Sequence, residues 1–307
     1  MRAIFFGMVL FYTSVATADV INMEFKFTPY IGDSAQSKQV ETVPGNARVF
    51  INNVFLAEQE VREEKVPVLF EEREIAPAVW MPMSSLGAAL RKGKNMIRIE
   101  FVPAKANKPY NARLSWAYVM DQSTEKSDNG HFQSTNQSGT GQEDKTVTGK
   151  IVLQREFIAN FAADQPWHHY PPVISLSDED KKILALMVKK RSEMFKPNFA
   201  GLYEVLGKYP NMNLDELKKA RCLDKAYTAG VRINPPTQNQ LDFILSGNPE
   251  VVVSRTAYAP LYAFDEKTFS RIKGDETQMC AAMALSFAYP PRFVVVRSPA
   301  GTWEIVY

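Results

Sequence analysis

The strongest constraint on the fold of this chain is an alternation of apolar and polar residues that runs from residue 20 to residue 120. The rhythm is clearest where it begins, with apolar positions at Ile21, Met23, Phe25 and Phe27. It returns over residues 66–69, 96–102 and 113–120, where Trp116 belongs to the apolar side. Because successive side chains of a strand point to opposite faces, this pattern predicts antiparallel strands in a β-sandwich or jelly roll.

The periodicity becomes helical near residue 177. Ser177 precedes three acidic residues and predicts a helix N-cap, since a side-chain oxygen and negative charge both favour that end. Asn213 and Glu216 predict a second capped helix, which would end at Gly230. Strands are then predicted over residues 241–245, 251–255, 281–289, 292–297 and 302–307. The chain therefore predicts an α+β fold, with a C-terminal domain of helices and antiparallel sheet over residues 177–307.

Residues 121–149 interrupt the strand pattern with a polar, Ser/Thr/Gly-rich sequence. Only Phe132 and Val147 offer much apolar surface, so the segment cannot offset the entropy cost of ordering. We predict a mobile loop within a β-sandwich domain of residues 19–161, with residues 150–157 pairing onto 113–120. An interdomain linker is the alternative. Residues 162–176 are predicted to connect the two domains.

The first 18 residues have the three parts of a secretory signal peptide. Arg2 supplies a positive charge, Ile4–Tyr12 is apolar, and Ala16 and Ala18 are the small residues before a cleavage point. The apolar run is too short to cross a bilayer, which takes roughly 20 residues, and no later segment reaches that length. We expect a periplasmic or secreted protein that does not span the membrane; a retained anchor is the alternative.

Overall charge is nearly balanced, with 36 basic and 34 acidic residues. This balance argues against a nucleic-acid partner, because such proteins usually carry a basic excess. One basic patch stands out in the β domain and consists of Arg91, Lys92, Lys94 and Arg98. A solvated face is the ordinary explanation for it, and contact with an anionic surface is the alternative.

The chain has two cysteines, Cys222 and Cys280, both in its C-terminal half. An even number of cysteines in an exported protein predicts a disulfide. Two separate buried thiols are the alternative. Met279-Cys280-Ala281 does not match the sequence context of a catalytic nucleophile.

The densest group of unusual residues is Trp167, His168, His169 and Tyr170, followed by two prolines. Neighbouring imidazoles in an extended chain point to opposite sides, so we predict no metal site there. A stiff connector packed between domains and a partner-docking patch both remain open, since tryptophan and tyrosine are enriched at interface hot spots. Trp116 is a further interface candidate.

A stretch of the β domain resembles the galactose-binding-like jelly roll found as an accessory domain in exported glycoside hydrolases. Two segments carry the resemblance, Val49–Asn53 and Leu86–Phe101, the second containing the turn Gly93-Lys94-Asn95 before an apolar strand. Asn53 stands where that family usually has glycine. The resemblance implies a jelly-roll fold and raises carbohydrate binding as an alternative function, although the domain is often structural in that family.

The C-terminal region resembles the cystatin-like, nuclear-transport-factor-like α+β fold, in which helices pack on a curved sheet. The ending Trp303-Glu304-Ile305-Val306-Tyr307 carries this resemblance. Members of the fold include enzymes, ligand-binding modules and docking modules, so the likeness implies a fold and not a function.

The chain has no serine nucleophile elbow, phosphate-binding glycine loop or zinc-binding His-Glu-x-x-His motif. We therefore expect a non-enzymatic protein without a cofactor that binds an envelope protein or glycan. A carbohydrate-binding or carbohydrate-active protein is one alternative. An enzyme with a pocket in the C-terminal domain, marked by two convergent acids or a histidine, is the other.

Overall fold

The computed structural model describes residues 20–69, 74–105, 107–126, 132–209 and 212–306. The predicted signal peptide, residues 1–18, lies outside these ranges. The chain divides into two compact units that interleave in sequence. The first unit contains residues 1–47, 59–87 and 101–151, and the second contains residues 48–58, 88–100 and 152–307. Periodicity alone predicted two consecutive domains and did not reveal this interleaving.

The N-terminal half is built from antiparallel strands, as predicted. Their bounds are β1 Val20–Ile31, β2 Gln39–Thr42, β3 Gly45–Ile51, β4 Val54–Val61, β5 Lys65–Leu69, β6 Glu74–Ile75, β7 Val79–Pro82, β8 Gly93–Pro103, β9 Pro109–Lys126, β10 Phe132–Thr148 and β11 Ile151–Ala159. A short helix α1, Met83–Leu86, follows β7. Among the described residues one sheet has the order β10-β9-β1-β2-β5-β6, with β7 on β1, and another has the order β11-β8-β3-β4.

Aromatic packing within the first unit joins these two sheets. The Phe27 ring on β1 lies 5.4 Å from the Phe101 ring on β8, measured between centroids, and Phe101 lies 5.7 Å from Tyr110. Phe27 and Phe101 are fully buried. Inward-facing aromatic side chains from two sheets are what the alternating sequence predicted for a sandwich.

A mobile loop was predicted over residues 121–149, but in the described part of this segment residues 121–126 and 132–148 lie in strands. Strands β9 and β10 pair antiparallel from Phe132 opposite Lys126 to Thr148 opposite Pro109, with one register shift. This ladder is made by backbone hydrogen bonds and does not require apolar side chains. The polar composition of the segment therefore did not indicate a strand. Two glycines of β10 also have a steric role, because a Cβ at Gly139 or Gly141 would collide with the Tyr118 or Trp116 ring.

The predicted partner of residues 150–157 was also wrong. Strand β9 pairs with β1 and β10, whereas β11 pairs with β8.

Two turns that the sequence predicted are present in the structure. Asn52 and Asn53 adopt positive φ between β3 and β4, and Gly93 adopts φ +87° at the start of β8. Asparagine and glycine tolerate this conformation better than other residues do.

The helices of the second unit are α2 Asp178–Ser192, α3 Ala200–Leu206, α4 Leu214–Ala220, α5 Cys222–Thr228, α6 Glu266–Phe269 and α7 Asp275–Ala288. Two of them, α2 and α4, begin where the capping signals predicted. The Ser177 and Asp180 side chains each accept a hydrogen bond from the other's backbone N–H. Asn213 accepts from the Glu216 N–H. The single helix predicted after Asn213 is divided at Arg221, whose φ of +52° separates α4 from α5.

Asp180 is the buried polar anchor of α2. Its carboxylate accepts hydrogen bonds from the Ser177 hydroxyl at 2.7 Å and from the Trp303 indole at 3.0 Å. Burial raises the pKa of Asp180, but these hydrogen bonds and the charge on Arg297 outweigh it and hold the pKa below its ordinary value. Asp180 is therefore a carboxylate, and its hydrogen bonds connect the start of α2 to Trp303 in the C-terminal strand.

The C-terminal sheet, which lies within the second unit, is antiparallel and has the order β12-β13-β14-β15. Its strands are β12 Leu241–Leu245, β13 Glu250–Arg255, β14 Phe293–Arg297 and β15 Trp303–Ile305. The strand predicted over residues 281–289 was wrong, because residues 281–288 lie in α7. Short apolar runs do not distinguish a strand from a buried helix, and the alanines here favour the helix.

Candidate functional site

The aromatic and histidine group is held by contacts within the second unit. Pro166–His169 forms a 3-10 turn rather than an extended chain. His168 is buried and its ring lies edge-on to Trp167, with ring centroids 5.6 Å apart. His169 is exposed, and its Nε2 lies 3.0 Å from the Asp164 carboxylate. Tyr170 is half-buried. This geometry accounts for the group as a packed turn, and its role as an interface stays a prediction.

Metal ligation was not predicted for the two histidines. Within the described residues no cluster of three or more His, Cys, Asp or Glu side chains has the arrangement of a metal site. His168 and His169 share one nearby carboxylate, Asp164, at 3.8 Å and 3.0 Å.

The basic patch is largely neutralised by acidic partners. One guanidinium nitrogen of Arg91 lies 3.0 Å and 2.9 Å from the two carboxylate oxygens of Glu250, which is fully buried. Lys94 pairs with Glu156 at 2.8 Å. Arg98 pairs with Glu100 and lies over the Phe50 ring. Lys92 is exposed. Three of the four cations thus have carboxylate partners, so the patch does not favour an anionic surface as its ligand.

Trp116 borders a polar cleft of about 290 Å³ in the first unit. Lys26 lines this cleft, and its ammonium nitrogen lies 2.8 Å from a carboxylate oxygen of Glu24 and 3.2 Å from one of Glu74. The Trp80 indole is 54 % exposed and donates a hydrogen bond to Glu24 at 2.8 Å. Burial raises the pKa of Glu24, but hydrogen bonds from Lys26 and Trp80 outweigh it and lower the pKa. The cleft therefore presents fixed charges beside an exposed aromatic ring.

The predicted disulfide links α5 to α7. The Cys222 and Cys280 sulfur atoms lie at bonding distance, and their Cα atoms are 6.0 Å apart, which is ordinary for a disulfide. Cys222 is fully buried. The pairing prediction is confirmed, and the bond holds α7 against the helical core.

Helix α7 is apolar on both sides. Its inner side places Ala281, Ala284, Leu285 and Ala288 in the core. Its outer side exposes Met279, Met283 and Phe287, at 73 %, 49 % and 40 % of their surface, with Ala282 and Ser286 between them. These three large side chains are spaced by four residues and form one continuous stripe, because residues four apart are neighbours on a helix. We call these five outer residues the α7 face.

An apolar groove borders the α7 face. It has a volume of about 300 Å³ and is lined by Phe264, Phe269, Ser270, Gln278, Ala282, Leu285 and Ser286. Phe264 is itself 37 % exposed. At the other end of the face, the Tyr209 ring packs on Phe287 with centroids 5.0 Å apart. Stripe and groove together form a connected apolar surface.

No charge interrupts this surface along the helix. Residues 277–291 contain no Asp, Glu, Lys or Arg. The next charged residue, Arg292, points inward, where it lies over the Phe55 ring and donates to the Leu56 carbonyl. Burial lowers the pKa of Arg292 to about 10. The α7 face was not predicted from the sequence, because the segment was assigned to a strand. The charge-free run and the methionine spacing were the available signals.

The apolar groove of the second unit does not have the two convergent acids or the histidine expected of an enzyme pocket. Of the helices among the described residues, none is both long enough and apolar enough to cross a bilayer. No protein-family model, no curated protein and no solved structure matches the chain. The two family resemblances therefore stay sequence-based expectations.

Proposed function

We propose that this protein is a binding protein that docks a partner protein through the α7 face. The observation that carries the proposal is the exposed Met279, Met283 and Phe287 stripe beside its apolar groove. Exposed apolar surface that is contiguous, and not scattered, is typical of interaction sites. Methionine is common on such surfaces because its flexible thioether adapts to the shape of a partner.

The free energy of burying apolar surface favours a partner that covers the α7 face. Moving one large apolar side chain fully out of water contributes about 1.5–3 kcal/mol, so the remaining exposure of Met279, Met283 and Phe287 represents several kcal/mol. That contribution offsets part of the entropy lost on association. The four-residue spacing matches the way an amphipathic helix docks into a groove.

The disulfide supports placing this activity in an oxidising compartment. Such bonds persist outside the cytoplasm and are rare within it. Together with the predicted signal peptide, this favours a periplasmic or secreted protein that binds a component of the envelope.

Photo-cross-linking in cells that make the protein tests the proposal. A photoreactive amino acid placed at Met279, Met283 or Phe287 is expected to give the same discrete protein adduct from all three positions. Ile174 is a matched control, because it is a 79 % exposed apolar residue of the same unit that lies outside the α7 face. It is expected to give no such adduct.

Three outcomes would contradict the proposal. Equal labelling from Ile174 would show non-specific contact, and a lack of any discrete adduct would show an unoccupied face. An adduct between two copies of this chain would make the face a homodimer interface rather than a partner site.

A second candidate function, carbohydrate binding, is favoured by the polar cleft of the first unit. Sugar-binding sites combine an aromatic surface with fixed polar groups, and here Trp80 is exposed beside Glu24, Lys26 and Glu74. Only the first unit contributes to this cleft.

Trp80→Ala is expected to abolish retention of the protein on an immobilised glycan that binds the wild type. The reason is loss of the stacking surface, with an effect of about tenfold or more in affinity. Trp80→Phe is the matched control and should keep most of the binding, because it retains an aromatic face. Failure of the wild type to bind any glycan on an array would rule this candidate out.

A further inference from the structure

A second cleft of the second unit is formed by α5 and by the short segment 271–273 that precedes α7. It has a volume of about 620 Å³. Its charged lining consists of Arg221, Asp224, Lys225, Arg271 and Lys273, and we call it the basic cleft. Four cations and one carboxylate give this lining a net charge of +3. The hollow is therefore positive in a chain whose overall charge is nearly balanced.

The single carboxylate of the lining neutralises little of this positive charge. Asp224 makes one long ion pair, in which its carboxylate lies 3.9 Å from Arg221. Arg271 and Lys273 are exposed, and within the part of the chain that the structure describes no ion pair joins either of them to an acid. Their charged groups are therefore available to an anion that enters the cleft.

Two further acids are close in sequence but do not line the basic cleft. Asp275 and Glu276 are exposed in the first turn of α7, where negative charge is favoured by the helix dipole. Neither of them belongs to the lining, and no residue of α7 does. A long ligand that continued onto α7 would meet these acids. A small ligand confined to the cleft meets the cations.

The cations of the cleft are attached to firmly held backbone. Arg221 precedes Cys222, the fully buried cysteine of the disulfide. Arg271 and Lys273 flank Ile272, whose side chain is buried. Because the residues next to them are anchored in the core, the positions of these three cations are largely fixed before a ligand binds, which reduces the entropy lost on binding.

Arg221 also has an unusual backbone conformation. Its φ of +52° lies in the left-handed region, which glycine, asparagine and aspartate tolerate better than arginine does. The residue ends α4 and begins α5, so it stands at the corner between the two helices. Unfavourable conformations of this kind cluster at functional sites, and here the conformation places a cation in the lining of the cleft.

We propose that the basic cleft binds a small ligand that carries two phosphate groups. A phosphate ester has a charge of about −1.5 to −2 at pH 7, so two of them match the +3 of the lining. The planar guanidinium of arginine donates two parallel hydrogen bonds to phosphate oxygens, and lysine binds phosphate as a point charge. This site is separate from the α7 face, and the inference does not rest on the proposed function.

Two sources could supply this chemistry, a free bisphosphate and the headgroup of a lipid with two phosphates. Isothermal titration calorimetry on the full chain at low ionic strength represents the first source by inorganic pyrophosphate, with inorganic phosphate and citrate for comparison. Pyrophosphate is expected to bind at least about tenfold more tightly than either, and less tightly as salt rises. Co-sedimentation with phosphatidylcholine vesicles that contain cardiolipin represents the second source. Vesicles with phosphatidylglycerol at the same total charge are the comparison.

Charge-reversal variants locate the binding. Arg271→Glu combined with Lys273→Glu should weaken binding at least about tenfold, and it keeps the buried Ile272 side chain in place. The control, Lys190→Glu combined with Lys196→Glu, makes the same charge change at exposed positions outside the cleft and should bind as the wild type does. Asp275→Asn combined with Glu276→Gln should change the affinity by less than about threefold, because these acids lie outside the lining and solvent screens them.

Each outcome supports or overturns the inference. Pyrophosphate binding that is lost only on the reversal of Arg271 and Lys273 supports a soluble ligand. A preference for cardiolipin over phosphatidylglycerol vesicles, lost on the same reversal, assigns the two phosphates to a lipid headgroup. Binding of neither probe, equal affinity for citrate and pyrophosphate, or an equal loss in the Lys190 and Lys196 control would overturn the proposal. A larger gain on neutralising Asp275 and Glu276 would show that these acids face the ligand, which contradicts the assignment of the site to the cleft.

Discussion

Replacing Arg91 with alanine is expected to lower the free energy of unfolding by about 3–5 kcal/mol. The Glu250 carboxylate is fully buried, and its two oxygens lie within 3.0 Å of one Arg91 nitrogen. Removing the guanidinium leaves a buried charge without its partner, which is among the most destabilising changes a single substitution makes. Arg91 also donates to the His168 carbonyl, so that contact is lost as well.

Chemical denaturation monitored by tryptophan fluorescence measures this effect. Lys92→Ala is the matched control, since Lys92 is the exposed neighbour of Arg91, and it should change stability by less than about 0.5 kcal/mol. A double variant with Arg91→Met and Glu250→Leu should recover much of the loss, because it removes both charges together. A loss for Arg91→Ala no greater than for Lys92→Ala would contradict the buried-pair account.

Removing the Cys222–Cys280 disulfide is expected to cost about 4 kcal/mol. The bond closes a loop across a sequence separation of 58 residues, and the chain-entropy model assigns about that much to a loop of this length. Replacing both cysteines with alanine also removes the packing of the fully buried Cys222 side chain. Because the disulfide joins α7 to α5, we expect its removal to destabilise the α7 face as well.

The measurement compares the denaturation midpoints of the oxidised wild type, the reduced wild type and the double alanine variant. Both altered forms should unfold at lower denaturant concentration than the oxidised protein. Coincident midpoints for the oxidised and reduced wild type would show that the bond does not stabilise the fold.

Local signals in the sequence predicted much of the fold. The two-residue alternation at β1 and β8, the capping residues Ser177 and Asn213, and the cysteine pair all depend on interactions near in sequence or on compartment chemistry. These predictions are confirmed because side-chain periodicity and end-capping act over one or two turns of chain.

The failures share a different physical cause. The β9–β10 pairing depends on backbone hydrogen bonds between segments whose polar side chains give no signal of burial. Helix α7 was mistaken for a strand because it is apolar on both sides, so its helical period is masked. Arg91 looked like a surface cation, since its partner Glu250 is 159 residues away in sequence. Long-range contacts of this kind determine the β9–β10 pairing and the Arg91–Glu250 pair, and periodicity does not contain them. The α7 face is different, because its charge-free run and methionine spacing are local signals.

The affinity of the purified chain for the partner identified by cross-linking at Met283 tests the docking claim most directly. Isothermal titration calorimetry should give a negative heat-capacity change, because apolar surface is buried. Met279→Lys combined with Met283→Lys should weaken binding by about 100-fold or more, since two apolar anchors are lost. The control, Ile174→Lys combined with Leu186→Lys, adds the same charge at exposed apolar positions elsewhere and should bind as the wild type does. Equal affinity for all three proteins would contradict the assignment of the α7 face as the docking surface.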